Sequence, residues 1–97
     1  MSRPSVALAR HRDDVKVLAV QHGAGDVRVF GSVAPGEDDD DSDPDLLVVP
    51  YPDASLIDLC AFGNAVEDLI GTRVDVVSER GLSPTLRSRI LAEARPL

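Results

Sequence analysis

The chain has little cysteine, and this limits its possible chemistry. Cys60 is the only cysteine among 97 residues, so no disulfide can form within the chain. Its sequence neighbours are Leu59, Ala61 and Phe62, and no cationic residue that could activate a thiolate stands beside it. This context predicts a small buried thiol and argues against a reactive nucleophile.

Long hydrophobic runs are also missing. The first residues, MSRPSVALARHRDD, contain no apolar stretch long enough for a signal peptide. No segment approaches the roughly 20 apolar residues that a membrane-spanning helix needs. We therefore expect a cytoplasmic protein with no membrane partner.

Basic residues are outnumbered by acidic ones. Ten lysines and arginines stand against 17 aspartates and glutamates, which gives a formal net charge of −7. Independent binding to nucleic acid requires a basic face that displaces counterions, so this balance argues against it. An acidic chain instead suits binding of Mg²⁺ or of a basic partner surface. The length predicts one small domain over residues 1–97, and 43% hydrophobic residues suffice for a single core.

Valine-rich segments alternate with segments of helical periodicity along the chain. The predicted strands are Val27–Phe30, Asp45–Val49 and Arg73–Val77, and the predicted helices are Val6–His22, Ser55–Gly71 and Ser83–Arg95. This alternation predicts an α/β (α+β) domain. We expect a small mixed β-sheet of three to four strands, with helices packed mainly on one face.

The ends of the later helices carry clear capping signals. Ser55 and Ser83 are each suited to be the N-cap residue of the helix that follows. The apolar residues Leu86, Ile90 and Leu91 recur at helical spacing, so the last helix is predicted to bury one face.

Three aspartates are associated with the predicted strands. Asp43 and Asp45 stand two residues apart at the start of the second strand, so their side chains should point to the same face. Two carboxylates aimed at one place repel each other unless a cation lies between them. Asp75 interrupts a valine-rich strand, where it lies either at an exposed strand end or beside a metal with the other two.

Gly31-Ser32 directly follows the first strand. It can be an ordinary turn in which the serine caps a short helix. It can also be a phosphate-binding turn, because glycine lets the backbone approach a ligand closely and the serine hydroxyl can donate a hydrogen bond. The acidic run Glu37–Asp41 that follows is typical of a solvated loop.

These two features have a characteristic spacing. Gly31-Ser32, ten further residues and Asp43-Pro44-Asp45 form the pattern G-S-x10-D-x-D. The pattern resembles the nucleotidyltransferase superfamily that includes DNA polymerase β. Because the chain carries little beyond the motif, it looks like a minimal nucleotidyltransferase (MNT), the small partner of HEPN/MNT toxin–antitoxin pairs. The resemblance covers Val27 to Ser78, with weaker similarity in the C-terminal GLSPTLRSRILAEA.

The resemblance implies a fold, a reaction and a site. The fold would be the minimal nucleotidyltransferase fold, and the reaction would be transfer of AMP from ATP to a hydroxyl, typically a tyrosine, of a cognate HEPN ribonuclease toxin. Asp43, Asp45 and Asp75 would be the catalytic residues and the ligands of Mg²⁺, with two ions expected. Gly31 and Ser32 would bind the triphosphate. The resemblance also implies a hetero-oligomer with the toxin.

Two prolines leave alternatives open. Pro35 stands where relatives often carry a basic residue, and Pro44 separates the two aspartates, where an aliphatic residue is usual. These departures favour a second hypothesis, a non-catalytic antitoxin that neutralises its toxin by direct binding. A third hypothesis is an orphan nucleotidyltransferase that modifies a small molecule or RNA, but the chain offers no second domain and no basic groove for such a substrate.

Overall fold

The computed structural model describes residues 3–31 and 43–97. In these ranges the helices are α1 (Pro4–Arg10), α2 (Arg12–Gln21), α3 (Leu56–Ile70) and α4 (Pro84–Glu93). The strands are β1 (Ala24–Phe30), β2 (Asp45–Pro50), β3 (Asp75–Ser78) and β4 (Arg95–Pro96), and a 3-10 turn spans Glu79–Gly81. No helix in the described ranges is long and apolar enough to cross a membrane.

The four strands form one mixed sheet in the order β3-β2-β1-β4. Strand β1 pairs antiparallel with both β2 and β4, whereas β2 and β3 run parallel and are connected through α3. This arrangement confirms the predicted α+β fold with a small mixed sheet. It also places β3 at one edge of the sheet and β2 in its interior.

One face of the sheet carries the hydrophobic core. Val27 and Val29 of β1 stand opposite Val48 and Leu46 of β2, and all four are buried. They belong to one cluster with residues of α1, α2 and α3, of which Phe62 is completely buried. The alternate residues of the strands point to the opposite side of the sheet, which we call the outer face (Arg28, Phe30, Asp45, Leu47 and Asp75).

The prediction of a single continuous helix over Val6–His22 is wrong. The structure contains two helices, α1 and α2, separated at His11, which leaves helical geometry with φ −108° and ψ 22°. Leu8 and Val15 lie on either side of the break and both belong to the core. No glycine or proline occurs at residue 11, so the local sequence carries no signal for this break.

Helix α3 begins and ends as its capping residues predict. The Ser55 hydroxyl accepts a hydrogen bond from the Asp58 backbone N–H at 3.3 Å, and the Asp58 carboxylate accepts one from the Ser55 N–H at 2.9 Å. Gly71 ends the helix in the left-handed conformation, with φ +77°.

The prediction for Cys60 is wrong, because this thiol is exposed. The buried stripe of α3 passes through its neighbour Leu59 and leaves Cys60 beside it.

The C-terminal region differs most from its prediction. The Ser83 hydroxyl caps α4 by accepting the Leu86 N–H at 3.3 Å, but no residue of α4 is buried and Leu86 remains 44% exposed. The predicted buried face of this helix is therefore wrong. Strand β4 was not predicted, because its two residues form a strand only by pairing with Arg28 and Val29 of the distant β1. Strand β1 also begins earlier than predicted, at Ala24, and β3 begins later, at Asp75.

Candidate active site

Two of the three predicted aspartates face each other at the start of adjacent strands. Asp45 and Asp75 are direct partners in the parallel register of β2 and β3. The Asp75 backbone N–H donates a hydrogen bond to the carbonyl of Pro44 at 2.9 Å, which anchors this register. Side chains of directly paired residues point to the same sheet face, and neighbouring strands lie about 4.8 Å apart. Asp75 therefore shares the outer face with Asp45 and does not point into the core.

The three carboxylates influence one another electrostatically. The pKa of Asp45 is raised above its usual value, first by partial burial and then by the negative charges of Asp75 and Asp43. Asp43 and Asp75 are exposed, whereas Asp45 is partly buried. A group of like charges of this kind is stabilised by a proton or by a bound cation.

The donor chemistry of this group fits a hard divalent cation. Carboxylate oxygens are the protein ligands that Mg²⁺ prefers, and three of them occur together at the start of β2 and β3. Among residues 3–31 and 43–97, however, no three His, Cys, Asp or Glu side chains already have the arrangement of a metal-ligand group. The assignment of Asp43, Asp45 and Asp75 as catalytic metal ligands therefore stays a prediction.

Gly31 lies against the same carboxylate. It follows Phe30, the β1 residue that pairs with Asp45, and it adopts a left-handed conformation with φ +74°. A Cβ atom built on Gly31 would lie only 2.6 Å from Oδ2 of Asp45. Any side chain at this position would therefore combine backbone strain with a collision against the carboxylate. The sequence predicted that the backbone at Gly31 would come close to a ligand. In the structure the group that lies close to Gly31 is the Asp45 carboxylate, and binding of nucleotide here stays a prediction.

Several residues of the predicted motif lie outside the described ranges. Ser32, Pro35 and the acidic run Glu37–Asp41 all fall there, so the predicted role of Ser32 in triphosphate binding stays a prediction. Pro44, in contrast, is described and fully buried. It directly precedes β2 and contributes its carbonyl to Asp75, which is an accepted place for a proline at a strand start.

One residue that fixes the segment before Asp75 was not predicted from the sequence. Glu67 on α3 accepts a hydrogen bond from the backbone N–H of Val74 through Oε2 at 2.9 Å. This bond ties the segment before β3 to the helix, next to the residue whose carboxylate faces Asp45. Glu67 follows the buried Val66 in α3 and is itself partly buried. A partly buried carboxylate requires a hydrogen-bond donor, so an acidic residue in this part of the helix was the available signal for such a contact.

Comparison with known proteins reveals relatives over nearly the whole chain. Residues 8–97 match the family model of the nucleotidyltransferase domain. The protein adenylyltransferase MntA of Thermococcus cleftensis is 35% identical over 78 residues, which cover 80% of this chain and 79% of that protein. A Methanocaldococcus jannaschii relative named for the same activity is 36% identical over 77 residues, or 79% of this chain and 83% of the relative.

Solved structures show the same architecture. A minimal nucleotidyltransferase superimposes with a TM-score of 0.88 at 50% sequence identity, covering 96% of this chain and 95% of that one. A toxin–antitoxin complex with AMP-PNP matches with a TM-score of 0.74 at 19% identity, covering 87% of this chain and 69% of that chain. At such low identity the second likeness establishes a shared fold and nothing further.

Proposed function

The chain belongs to the nucleotidyltransferase domain family, and on that premise we propose that it transfers AMP from ATP to a hydroxyl group of another protein. The observation that carries the proposal is the pairing of Asp45 with Asp75 on the outer face, where Asp43 adds a third carboxylate. The related adenylyltransferases are named for this class of reaction. Carboxylates grouped at one place can hold the metal ions that promote this kind of transfer.

Each carboxylate has a role in the proposed reaction. The acceptor hydroxyl attacks the α-phosphorus of ATP, a new O–P bond forms, and the bond to the pyrophosphate leaving group breaks. In this proposal Asp75 orients the hydroxyl and receives its proton. Asp43, Asp45 and Asp75 would hold Mg²⁺, with two ions expected. Bound Mg²⁺ would supply positive charge to the phosphate oxygens on which negative charge develops.

The glycine and serine after β1 complete the proposed site. Gly31 lets the end of β1 lie directly against Asp45, so that the chain passes beside the carboxylates without a side chain in the way. We propose that the backbone of Gly31 and Ser32 and the Ser32 hydroxyl hydrogen-bond to triphosphate oxygens.

The proposed acceptor is a tyrosine of a cognate HEPN-type toxin in the cytoplasm. Support comes from the G-S-x10-D-x-D resemblance and from the toxin–antitoxin complex with the same fold. In this proposal the chain is an antitoxin that silences its partner by adding AMP, and the two proteins form a hetero-oligomer. The net charge of −7 suits a basic partner surface.

A second candidate is neutralisation of the toxin by contact alone. It is favoured by α4, which has no buried residue and exposes Leu86 beside Arg87 and Arg89. An apolar side chain bordered by arginines is a common composition for a protein interface. In this case the aspartates would be dispensable for protection.

The double replacement of Asp43 and Asp45 by asparagine separates the two candidates. Both side chains keep their size and lose their charge, so transfer of labelled AMP from [α-³²P]ATP with Mg²⁺ to the toxin encoded by the neighbouring gene should fall by orders of magnitude. Folding should survive or improve, because two like charges are removed. Protection of cells against the toxin should be lost together with transfer.

The matched control replaces two exposed carboxylates elsewhere, Asp53 and Asp68, with asparagine. This variant changes the net charge by the same amount and should retain both transfer and protection. Full protection by the Asp43/Asp45 variant at equal expression would reject the enzymatic proposal and support neutralisation by contact.

A further inference from the structure

The outer edge of β3 offers backbone hydrogen-bonding groups. Because the Asp75 N–H bonds to β2, the backbone groups of Val74, Val76 and Ser78 alternate to the opposite side. Val74 confirms this direction, since its N–H reaches Glu67 on α3. In the part of the chain that the structure describes, nothing outside the strand ladder hydrogen-bonds to the N–H or C=O of Val76 or to the N–H of Ser78.

A groove of about 260 Å³ runs along this edge, between β3 and α3. Its walls are largely apolar, and the residues that line it include Leu56, Leu59, Cys60, Gly63, Val74 and Val76. Gly63 has no side chain to fill the space between α3 and β3, where a Cβ atom would lie only 3.2 Å from Cγ2 of Val76. At the far end Leu56 is 77% exposed and adjoins Ile57, which is 79% exposed. An apolar side chain entering this groove would cover surface that is now in contact with water.

The groove and the strand edge lead directly to the carboxylates. Val74 lines the groove, and the next residue is Asp75, the first residue of β3. A strand added to this edge would place one residue opposite Asp75, with its side chain on the outer face that also carries Asp45. The residue next to it along the added strand would point to the other face, into the groove.

We propose that the acceptor protein docks as an extended segment along β3, and that this docking presents its hydroxyl to the site. The proposal rests on the proposed AMP transfer and names the recognised segment: a hydroxyl side chain with an apolar side chain immediately next to it, in a segment of net positive charge. Addition of a strand to an open edge is a general mode of peptide recognition. The net charge of −7 attracts such a segment and repels a second copy of this chain.

Ser78→Pro tests the edge with little disturbance of the fold. Ser78 has φ −82°, which a proline can adopt, and its N–H points away from β2, so the sheet ladder is retained. Ser78→Ala is the matched control, because it removes the hydroxyl and keeps the N–H. For AMP transfer to the HEPN-type protein encoded by the neighbouring gene, Ser78→Pro should raise the KM for that protein about tenfold. The KM for ATP should stay unchanged, and Ser78→Ala should resemble wild type.

The single cysteine permits a direct test of docking. Cys60 lines the groove and is exposed, so a benzophenone maleimide attached to it should cross-link to the acceptor protein on irradiation. Mass spectrometry should locate the cross-link within a few residues of the hydroxyl that receives AMP. In the control, the label sits on a cysteine introduced at the exposed Ser88 of α4 in a Cys60→Ser background, and no cross-link to that peptide should form.

The outcomes separate this proposal from the proposed function. Absence of AMP transfer by the wild-type protein rejects the function, whereas the cross-link still reports where the partner docks. Normal transfer with an unchanged KM in Ser78→Pro, or a cross-link remote from the acceptor residue, rejects docking along β3 and leaves the function standing. A change from dimer to monomer in Ser78→Pro, measured by light scattering, would assign the edge to a second copy and reject the proposal.

Discussion

At the scale of single residues, Gly31 illustrates how the backbone and the carboxylates depend on each other. It has a left-handed conformation, and the absence of a side chain leaves room for Oδ2 of Asp45. Gly71 at the end of α3 has nearly the same φ, +77°, but nothing lies within 4 Å of the position of a Cβ atom there. A side chain at Gly71 would therefore cause backbone strain alone, whereas a side chain at Gly31 would cause both backbone strain and a collision with Asp45.

Gly31→Ala and Gly71→Ala form a matched pair. Gly71→Ala should lose about 1–2 kcal/mol of unfolding free energy in urea denaturation, because alanine is strained in the left-handed region. Gly31→Ala should lose more, because its methyl group also collides with the Asp45 carboxylate. Only Gly31→Ala should also abolish AMP transfer, because its methyl group displaces the Asp45 carboxylate. Equal residual activity in the two variants would show that contact between Gly31 and Asp45 has no role in the reaction.

The raised pKa of Asp45 makes a prediction about stability and pH. A carboxyl whose pKa is higher in the folded state binds its proton more tightly there than in the unfolded chain. Its contribution to the free energy of unfolding therefore decreases as the pH rises from the ordinary value of 3.8 through the raised folded value. Ionised Asp45 is accordingly destabilising at neutral pH, as expected for a carboxylate that is partly buried and lies beside two others.

Replacement of Asp45 by asparagine should remove this cost. Asp45→Asn should be more stable than wild type at pH 7, and the difference should shrink as the pH falls through the raised pKa to the ordinary value of 3.8, because Asp45 becomes protonated in the wild-type protein. Urea denaturation at both pH values measures the effect, with the exposed Asp53→Asn as the control. A stability difference that does not change with pH would contradict the assigned electrostatic origin.

At the scale of secondary-structure elements, α3 and α4 begin with similar caps and differ in burial. Ser55 and Ser83 both cap their helices through a serine hydroxyl. Helix α3 buries Leu59, Phe62 and Val66 against the sheet, whereas α4 has no buried residue. Since most helix stability in proteins comes from packing, a serine cap on each helix does not make the two helices equally stable.

Hydrogen exchange should report this difference. Amides in the middle of α3 should open only with global unfolding, whereas those of α4 should exchange through local opening at a lower free energy. The measurement compares exchange of the two helices by NMR across a denaturant series. Protection of α4 equal to that of α3 in the isolated protein would contradict the weak packing of α4. Added protection of α4 on binding of the partner would support the second functional candidate.

At the scale of the whole molecule, one core joins the first three helices to the sheet. Phe62 is completely buried within it, in contact with a cluster drawn from α1, α2, β1, β2 and α3. A domain of this size has a total stability of about 5–15 kcal/mol. The loss of one large core side chain therefore affects every element in the cluster together.

Phe62→Ala should cost about 3–5 kcal/mol of unfolding free energy, from lost burial and the cavity that remains. The loss should appear identically in helix circular dichroism and in NMR signals from β1 and β2, as expected if residues 1–97 form one domain. Leu56→Ala, on the same helix but 77% exposed, should change stability by about 0.5 kcal/mol or less. Separate transitions for the helices and the sheet would argue against a single cooperative unit.

Local signals in the sequence were sufficient for much of the fold. The three predicted strands, helix α3 and the serine caps of α3 and α4 depend on neighbouring residues, and the structure contains all of them. For Asp75 the sequence left two alternatives open, an exposed strand end or a place beside the other two aspartates, and the structure pairs it with Asp45 at the start of β3. The errors occurred where the outcome depends on distant residues, as for the exposure of Cys60, the lack of buried residues in α4 and the pairing of β4.

The sequence by itself determined the family and the identity of the candidate site, because the spacing from Gly31 to Asp45 and the valine-rich strands are properties of a continuous stretch of chain. Only the tertiary structure decided that Asp75 stands opposite Asp45, since parallel pairing joins residues separated by a helix. It also decided that the space beside Gly31 is filled by the Asp45 carboxylate and that Glu67 accepts a hydrogen bond from Val74. Among the described strands, it placed β3 at the edge of the sheet. Each of these depends on which strands become neighbours, and that order is set by burial of one shared core.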